Sequence, residues 1–418
     1  MLIKLARLSV WNRRATVLLT LLALSISIAL VLGIDHLRNQ AKESFSKTLS
    51  GTDLIVGARS GSINLLLYSV FRIGNATNNI TWQTYQELAK HSGIDWIIPI
   101  SLGDSHRGYR VLGTNDVYFA HYQFGQHQPL VFTEGKKFEE VYDAVLGAEV
   151  AQKLGYKLGD KIVVAHGSSE VTLSKHNDKP FTVVGILQPT GTPVDRTVHV
   201  SLAAIEAIHL DWQGGVQTPS HKISAEEALK FDLTPTAITA MLVGLKSRAQ
   251  TFSVQRQINE YSEEPLLAIL PGVALTELWS MLAMVENLLT VISIFVLIAA
   301  LMGMTTSLLS AMNERQREIA ILRSLGASAG YLFLLVELEV FIITVLALLL
   351  GTGVLSIGLA FGQHYLAQQF GLFVPANPIQ SYTPIAACGV ILLSLVLGSV
   401  PAFIAYRRAL GEGLSQRL

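Results

Sequence analysis

Ten of the eleven histidines fall in, or at the start of, the stretch from 35 to 276, among them His121, His127, His166, His176, His199, His209 and His221. The single cysteine, Cys388, lies in an apolar run, so there is no disulfide framework and no cysteine-based zinc site. Imidazole and carboxylate are then the donors left for a borderline divalent ion. No two histidines have the His-x-x-x-His spacing that places both on one face of a helix. His166 and His176 bracket a turn with Asp178 close by, and these three are the candidate metal ligands. Metal handling requires at least three of His166, His176, Asp178, His199, His209 and His221 to reach one ion. The six are not expected all to converge. The spacing leaves open that His166 and His176 flank one hairpin while His199 and His209 sit at the start and end of the next helical segment, which would spread them over a surface suited to protein contact. No metal is therefore expected on this chain.

Nucleotide chemistry has no residues to carry it. A phosphate-cradling G-x-x-x-x-G-K-[ST] run is absent, and the nearest fragment, Gly244-Leu245-Lys246-Ser247, lacks the first glycine at the required offset. Glu337 and Glu339 lie in an apolar run, where an ionisable group costs roughly a few kcal/mol and marks a functional position by default. A proton or ion relay needs partners, and the other apolar runs offer little beyond Glu286. A structural or coupling role is expected for the two acids.

These residues belong to a chain of 418 residues, 50% hydrophobic and 15% charged, with a mean hydropathy of +0.43. Soluble domains carry about 25% charged residues. An ordinary soluble enzyme and a disordered chain are both excluded. Lys+Arg and Asp+Glu each total 31, so no basic excess points to nucleic acid.

Ala15 to Ile34 contains no charged residue and matches the roughly 20 residues a helix needs to cross a bilayer. A cleaved signal would have an apolar stretch of only about 7–15 residues, so this segment reads as an anchor. Three further apolar runs follow near the C-terminus, at about Leu288 to Ser310, Tyr331 to Phe361 and Pro384 to Tyr406. The expected fold class is an α-helical membrane domain of four transmembrane helices, split one plus three, with a large mixed α/β extracytoplasmic domain between the first and second. The segments are 1–34 (basic elbow and first span), 35–276 (extracytoplasmic domain), 277–312 (second span), 313–328 (cytoplasmic loop), 329–361 (third span), 362–383 (short external loop) and 384–418 (fourth span and tail).

Lys4, Arg7, Arg13 and Arg14 precede the first span, Arg315, Arg317 and Arg323 follow the second, and Arg407, Arg408 and Arg417 follow the fourth. Gly362 to Thr383 carries no Lys, Arg, Asp or Glu. Cationic short loops stay inside. Both termini and the 313–328 loop are therefore expected in the cytoplasm, and the 35–276 domain in the periplasm of a bacterial inner-membrane protein.

Within that domain, short β-branched runs at 53–56, 96–100, 161–164, 181–187 and 238–243 predict strands. Thr81 to His91 and Ala144 to Leu154 predict helices, the second stopped by Gly155. Gln213 to Ser224 reads as a surface loop. Ile63 to Phe71 is an apolar run that suits either a buried core or a surface receiving an amphiphile.

The cytoplasmic loop has its own pattern. Asn313 can cap a helix, Glu314, Arg315, Arg317 and Glu318 charge its first turns, Ile319, Leu322 and Leu325 recur at helical spacing, Arg323 sits in the last turn, and Gly326 can supply a left-handed stop. Such a helix can lie on lipid headgroups or dock on a protein.

The run from Glu314 to Ser328 resembles the coupling segment of bacterial ABC permeases of the MacB/FtsX/LolC type, the mechanotransmission or type VII family. Leu5-Ala6-Arg7-Leu8 through Asn12-Arg13-Arg14 to Thr20 resembles that family's basic elbow and first span. Glu337 or Glu339 followed by Gly351 and Gly353, and Pro401-Ala402 with Ala405, resemble its later spans. The resemblance implies a permease subunit without a conventional substrate tunnel. ATP hydrolysis by a separate cytoplasmic ABC ATPase would move periplasmic domains that act on a lipoprotein, an amphiphile or a periplasmic partner. ATP and magnesium would sit on that ATPase and no cofactor on this chain, with a second permease chain, identical or closely related, completing the core. Glu314, Arg315, Arg317, Glu318 and Arg323 would then seat in a groove of the ATPase through charge-assisted hydrogen bonds, with Ile319, Leu322 and Leu325 making the apolar contact and Gly326 ending the helix. Two other readings stay open: a zinc-handling ABC system using the same engine with a histidine-bearing ectodomain, and a membrane-anchored sensor.

Overall fold

A computed structural model describes residues 14–167, 176–213, 216–217, 223–314, 321, 324–370, 374–380 and 383–411. Its helices of five residues or more are α1 (Arg14–Lys47), α2 (Ser62–Ser69), α3 (Trp82–Leu88), α4 (Val117–His121), α5 (Ala148–Leu154), α6 (Leu202–His209), α7 (Thr251–Asn259), α8 (Pro271–Glu314), α9 (Ala329–Phe370) and α10 (Thr383–Gly411). The strands of the main sheet are β1 (Leu54–Ala58), β2 (Ile94–His106), β3 (Tyr109–Thr114), β4 (Phe132–Gly135), β5 (Asp143–Leu146), β6 (Lys161–Ile162), β7 (Ala165–His166), β8 (Phe181–Leu187), β9 (Thr197–Ser201), β10 (Ala240–Leu245) and β11 (Leu266–Ile269). Two compact units result, one of Met1–Ala41 with Ala283–Leu418, the other of Lys42–Leu282.

In the first unit, α1, α8, α9 and α10 each contain a stretch long and apolar enough to cross a membrane, in the one-plus-three order read from the sequence. Leu24 and Ile28 of α1, Leu301 and Met304 of α8, and Val340 and Ile343 of α9 form its buried centre. Gly351 belongs to this packing. A Cβ there would lie 2.8 Å from the Ser25 carbonyl oxygen, so α1 and α9 approach backbone to backbone. Glu339 is buried and Glu337 partly so, with both Glu337 carboxylate oxygens buried and without a hydrogen-bond partner among the described residues. α1 continues well past Ile34, because i,i+4 partners such as Asn39 on Asp35 and Lys47 on Glu43 support its polar turns.

The second unit is the mixed α/β domain. Its sheet runs β11-β1-β10-β2-β3-β9-β5-β8-β4, with β7 paired to β2 and β6 to β8. β3 with β9 and β5 with β8 are parallel pairs among antiparallel ones. β8 alternates buried and half-buried positions, so that Phe181 and Val183 join Val150 and Val198 in one core. The Ile63 to Phe71 run is core: Leu65, Leu66, Tyr68, Val70 and Phe71 are buried with Ile55, Ile98 and Leu112.

One expectation is corrected. Ala144 to Leu154 is not a single helix. Asp143–Leu146 is a strand buried along its whole length, and α5 starts only after Gly147, where a Cβ would lie 2.2 Å from the Val194 carbonyl oxygen. A short apolar run buried on both faces has no periodicity to separate strand from helix. Gly155 does end α5, in the left-handed conformation at φ 70°.

Candidate metal centre and coupling segment

Asp104, His166, His176 and His209 come together in the second unit, with one ligand atom from each all within 4.8 Å of one another. Four separate pieces of chain deliver them. Asp104 lies in β2 beside Gly103, where the pairing with β3 skips between Leu102 and Ser105. Such a bulge re-aims a side chain that a regular strand would send to the other face. His166 ends β7 directly opposite Asp104. His176 is tied to the same edge by its amide, which donates to the Val164 carbonyl at 3.0 Å. His209 is the last residue of α6, which Ser201 caps and whose Leu202, Ala204, Ala207 and Ile208 are buried.

Buried neighbours hold the geometry. Lys179, three residues after His176, pairs at 2.5 Å with Asp211, two residues after His209, and both side chains are wholly out of solvent. Trp212 lies against His166 and His176 at ring separations of 4.7 and 4.5 Å. Tyr156 and the Val163 carbonyl hold His106 at 3.0 and 2.6 Å, fixing the approach of that segment to β2.

Asp104 Oδ1 lies 3.0 Å from His166 Nδ1 and 3.6 Å from His209 Nε2, and those two nitrogens are 3.3 Å apart. Neither contact to Oδ1 is aligned as a hydrogen bond, and both ring nitrogens of fully buried His176 have no partner among the described residues. Burial pushes the Asp104 carboxyl up, but the facing His166 and His209 more than reverse this, so it lies well below the usual range and is ionised. Burial, then the nearby His166 and His209, push His176 down to about 3, so its imidazole is neutral at physiological pH. Three imidazoles and one carboxylate so arranged can chelate a cation.

His166, His176 and His209 therefore meet, whereas His199, expected at the start of a helical segment, lies inside strand β9, so the six residues do not all converge. Asp178 is not in the cluster. His199 is buried elsewhere, its Nδ1 3.3 Å from the Val145 carbonyl oxygen, and His221 lies outside the described residues. Asp104 was missed by sequence reasoning. Its signal was the glycine beside it, Gly103, since a glycine inside a strand often marks a bulge.

Of the coupling residues, Glu314 is the last residue of α8, and Arg315, Arg317, Glu318, Ile319, Leu322 and Arg323 lie outside the described residues. Where the description resumes, the Leu325 amide donates to the Ile321 carbonyl at 3.1 Å, a helical bond. Gly326 adopts φ 95°, the left-handed stop that its position suggested. Ile321 and Leu325 are exposed, leaving apolar surface on this segment.

Comparison with known proteins agrees with this architecture. Residues 17–261 match the MacB-like periplasmic core domain family, and residues 290–413 match the FtsX-like permease C-terminal family. The chain belongs to the MacB/FtsX family of ABC permeases. It is thus a transmembrane ABC transporter subunit, of a type that lacks its own ATPase site and has an ABC ATPase as partner. Among solved structures it is similar to the periplasmic region of MacB from Actinobacillus actinomycetemcomitans, at 12% identity and a TM-score of 0.34, covering 55% of this chain and 94% of that one. It is also similar to the extracellular domain of the noncanonic ABC-type transporter YknZ from Gram-positive bacteria, at 14% identity and a TM-score of 0.30, covering 52% and 99%. No curated protein sequence matches the chain.

Proposed function

We propose that this chain is the permease subunit of a mechanotransmitting ABC system, in which a separate cytoplasmic ATPase drives movement of the periplasmic domain to act on a lipoprotein, an amphiphile or a periplasmic partner. The observation that carries the reading is the succession of the two matched domains on a one-plus-three set of apolar helices. Arginines in the 313–328 loop support the placement of that loop and both termini in the cytoplasm, with the large domain in the periplasm. The 418 residues contain no phosphate-binding loop, so hydrolysis is assigned to the ABC ATPase and not to them. The test is purification of the tagged full-length chain from its native host. An ABC ATPase should accompany it, and ATP hydrolysis should be found in the complex and not in the chain alone. Hydrolysis by the isolated chain, or a preparation free of any ABC ATPase, would overturn the proposal and favour a membrane-anchored sensor. A second reading, metal handling by the same engine, is favoured by one observation, the meeting of Asp104, His166, His176 and His209.

A further inference from the structure

We infer that the second unit carries a site for a borderline divalent transition metal, with Asp104, His166, His176 and His209 as ligands and Zn²⁺ as the ion their donor set fits best. This does not rest on the permease reading, since the site lies within one unit and needs no ATPase.

Donor chemistry sets the class of ion. Calcium and magnesium take oxygen ligands, whereas three imidazole nitrogens with one carboxylate oxygen suit zinc and its first-row neighbours. Spacing agrees. Two ligand atoms each about 2.0–2.1 Å from one tetrahedral ion stand about 3.3 Å from each other, and the separations of 3.0, 3.3 and 3.6 Å among Asp104 Oδ1, His166 Nδ1 and His209 Nε2 bracket that value. A cluster held by hydrogen bonds alone accounts poorly for His176. That side chain is 0% exposed, yet neither ring nitrogen has a partner among the described residues. A neutral imidazole always offers one donor and one acceptor, and burying either without a partner is costly. A nitrogen bound to metal removes the acceptor from that account.

Charge and access agree as well. Asp104, 3% exposed, supplies the one carboxylate needed against a dication, and His209 stands at the C-terminal end of α6, where the helix dipole favours positive charge. The His166 and His209 side chains are 25% and 30% exposed, so an ion reaches the site from solvent without unfolding the domain. Four protein donors leave a tetrahedral ion no open position, which makes this a binding site and not a hydrolytic one.

The experiment uses the full-length chain in detergent, stripped with a chelator and titrated with Zn²⁺ against a chromophoric competing chelator. One Zn²⁺ per chain should bind, with X-ray absorption showing nitrogen and oxygen neighbours only, at about 2.0–2.2 Å. Losing a second-shell partner typically weakens metal affinity by about 10–100-fold, so losing a direct ligand in His176→Gln or Asp104→Asn should weaken it by about 100-fold or more. His199→Gln, at a buried histidine outside the cluster, should bind as wild type does. Should His176→Gln fail to fold, His209→Asn at a partly exposed position carries the same test. Failure of wild type to bind Zn²⁺ saturably, or wild-type affinity in a folded ligand variant, overturns the inference and leaves a hydrogen-bonded His–Asp cluster, with the permease reading intact.

Discussion

Lys179 and Asp211 show what single buried charges do here. Both side chains are wholly out of solvent and lie 2.5 Å apart, and removing one partner of such a pair costs about 3–5 kcal/mol because the other charge loses its main compensation. Lys179→Met should therefore lower the unfolding midpoint substantially, and Lys179→Met/Asp211→Leu should recover part of the loss, since well-packed apolar residues often replace a buried pair at little cost. Thermal unfolding of the metal-free chain in detergent reads this; a double variant no more stable than the single one would show that the pair contributes something beyond charge balance. His199 makes a pH-dependent contribution. Burial first, then Arg72, push its imidazole down to about 3, and its ring packs 5.2 Å from Tyr118. A depressed folded-state value means that this stability is complete above the unfolded value of about 6.5 and is lost as pH falls from there toward 3, by up to about 1.4 kcal/mol per pH unit. His199→Gln should thus lose less stability than wild type between pH 6.5 and 4 in denaturant titrations, and parallel losses would refute the assignment.

At the scale of elements, the sequence was most readable where composition alone decides. The four membrane helices follow from charge-free apolar runs, and Gly155 and Gly326 end helices because both positions need positive φ, at 70° and 95°. Strand β8 was legible from end to end because its run is short and β-branched. β5 was not, since a strand buried on both faces carries no alternation. The candidate metal site was half legible for a related reason. His166 and His176 are near in sequence, but Asp104 enters through a bulge and His209 through the end of α6, and neither placement has a periodic signature. Asp178 has the right chemistry and stands two residues from His176, yet the backbone turn leaves it out of the cluster. The 313–328 segment carries the element-scale prediction. Arg315→Glu or Glu318→Lys should abolish ATPase stimulation by the full-length chain in nanodiscs, because like charges juxtaposed in an interface cost several kcal/mol. Variants that stimulate hydrolysis as wild type does would remove this segment from the coupling path.

For the whole molecule, the open question is how many permease chains work together. An ABC engine brings two ATPases face to face, and if each is driven through one 313–328 segment, two permease chains are needed. The membrane unit has surface to spare for this: Leu288, Ile292 and Phe295 of α8 are exposed, as are Phe361 of α9 and Leu392 of α10. Lipid tails are as apolar as these side chains, so exposure alone creates no drive to associate, and close packing has to come from small residues. Gly351 is already used against α1 of its own chain, whereas Gly353, with nothing within 4 Å of its would-be Cβ, and exposed Ala299 are among the positions where a second chain can approach closely. The expected assembly is two permease chains with two ATPases, read by native mass measurement from nanodiscs. Gly353→Leu, which adds bulk at an open position without disturbing the α1–α9 contact, should shift the population toward single permease chains while leaving the fold intact. One permease chain per pair of ATPases in the wild type would refute the pairing, and an unchanged dimer in Gly353→Leu would move the interface to another face.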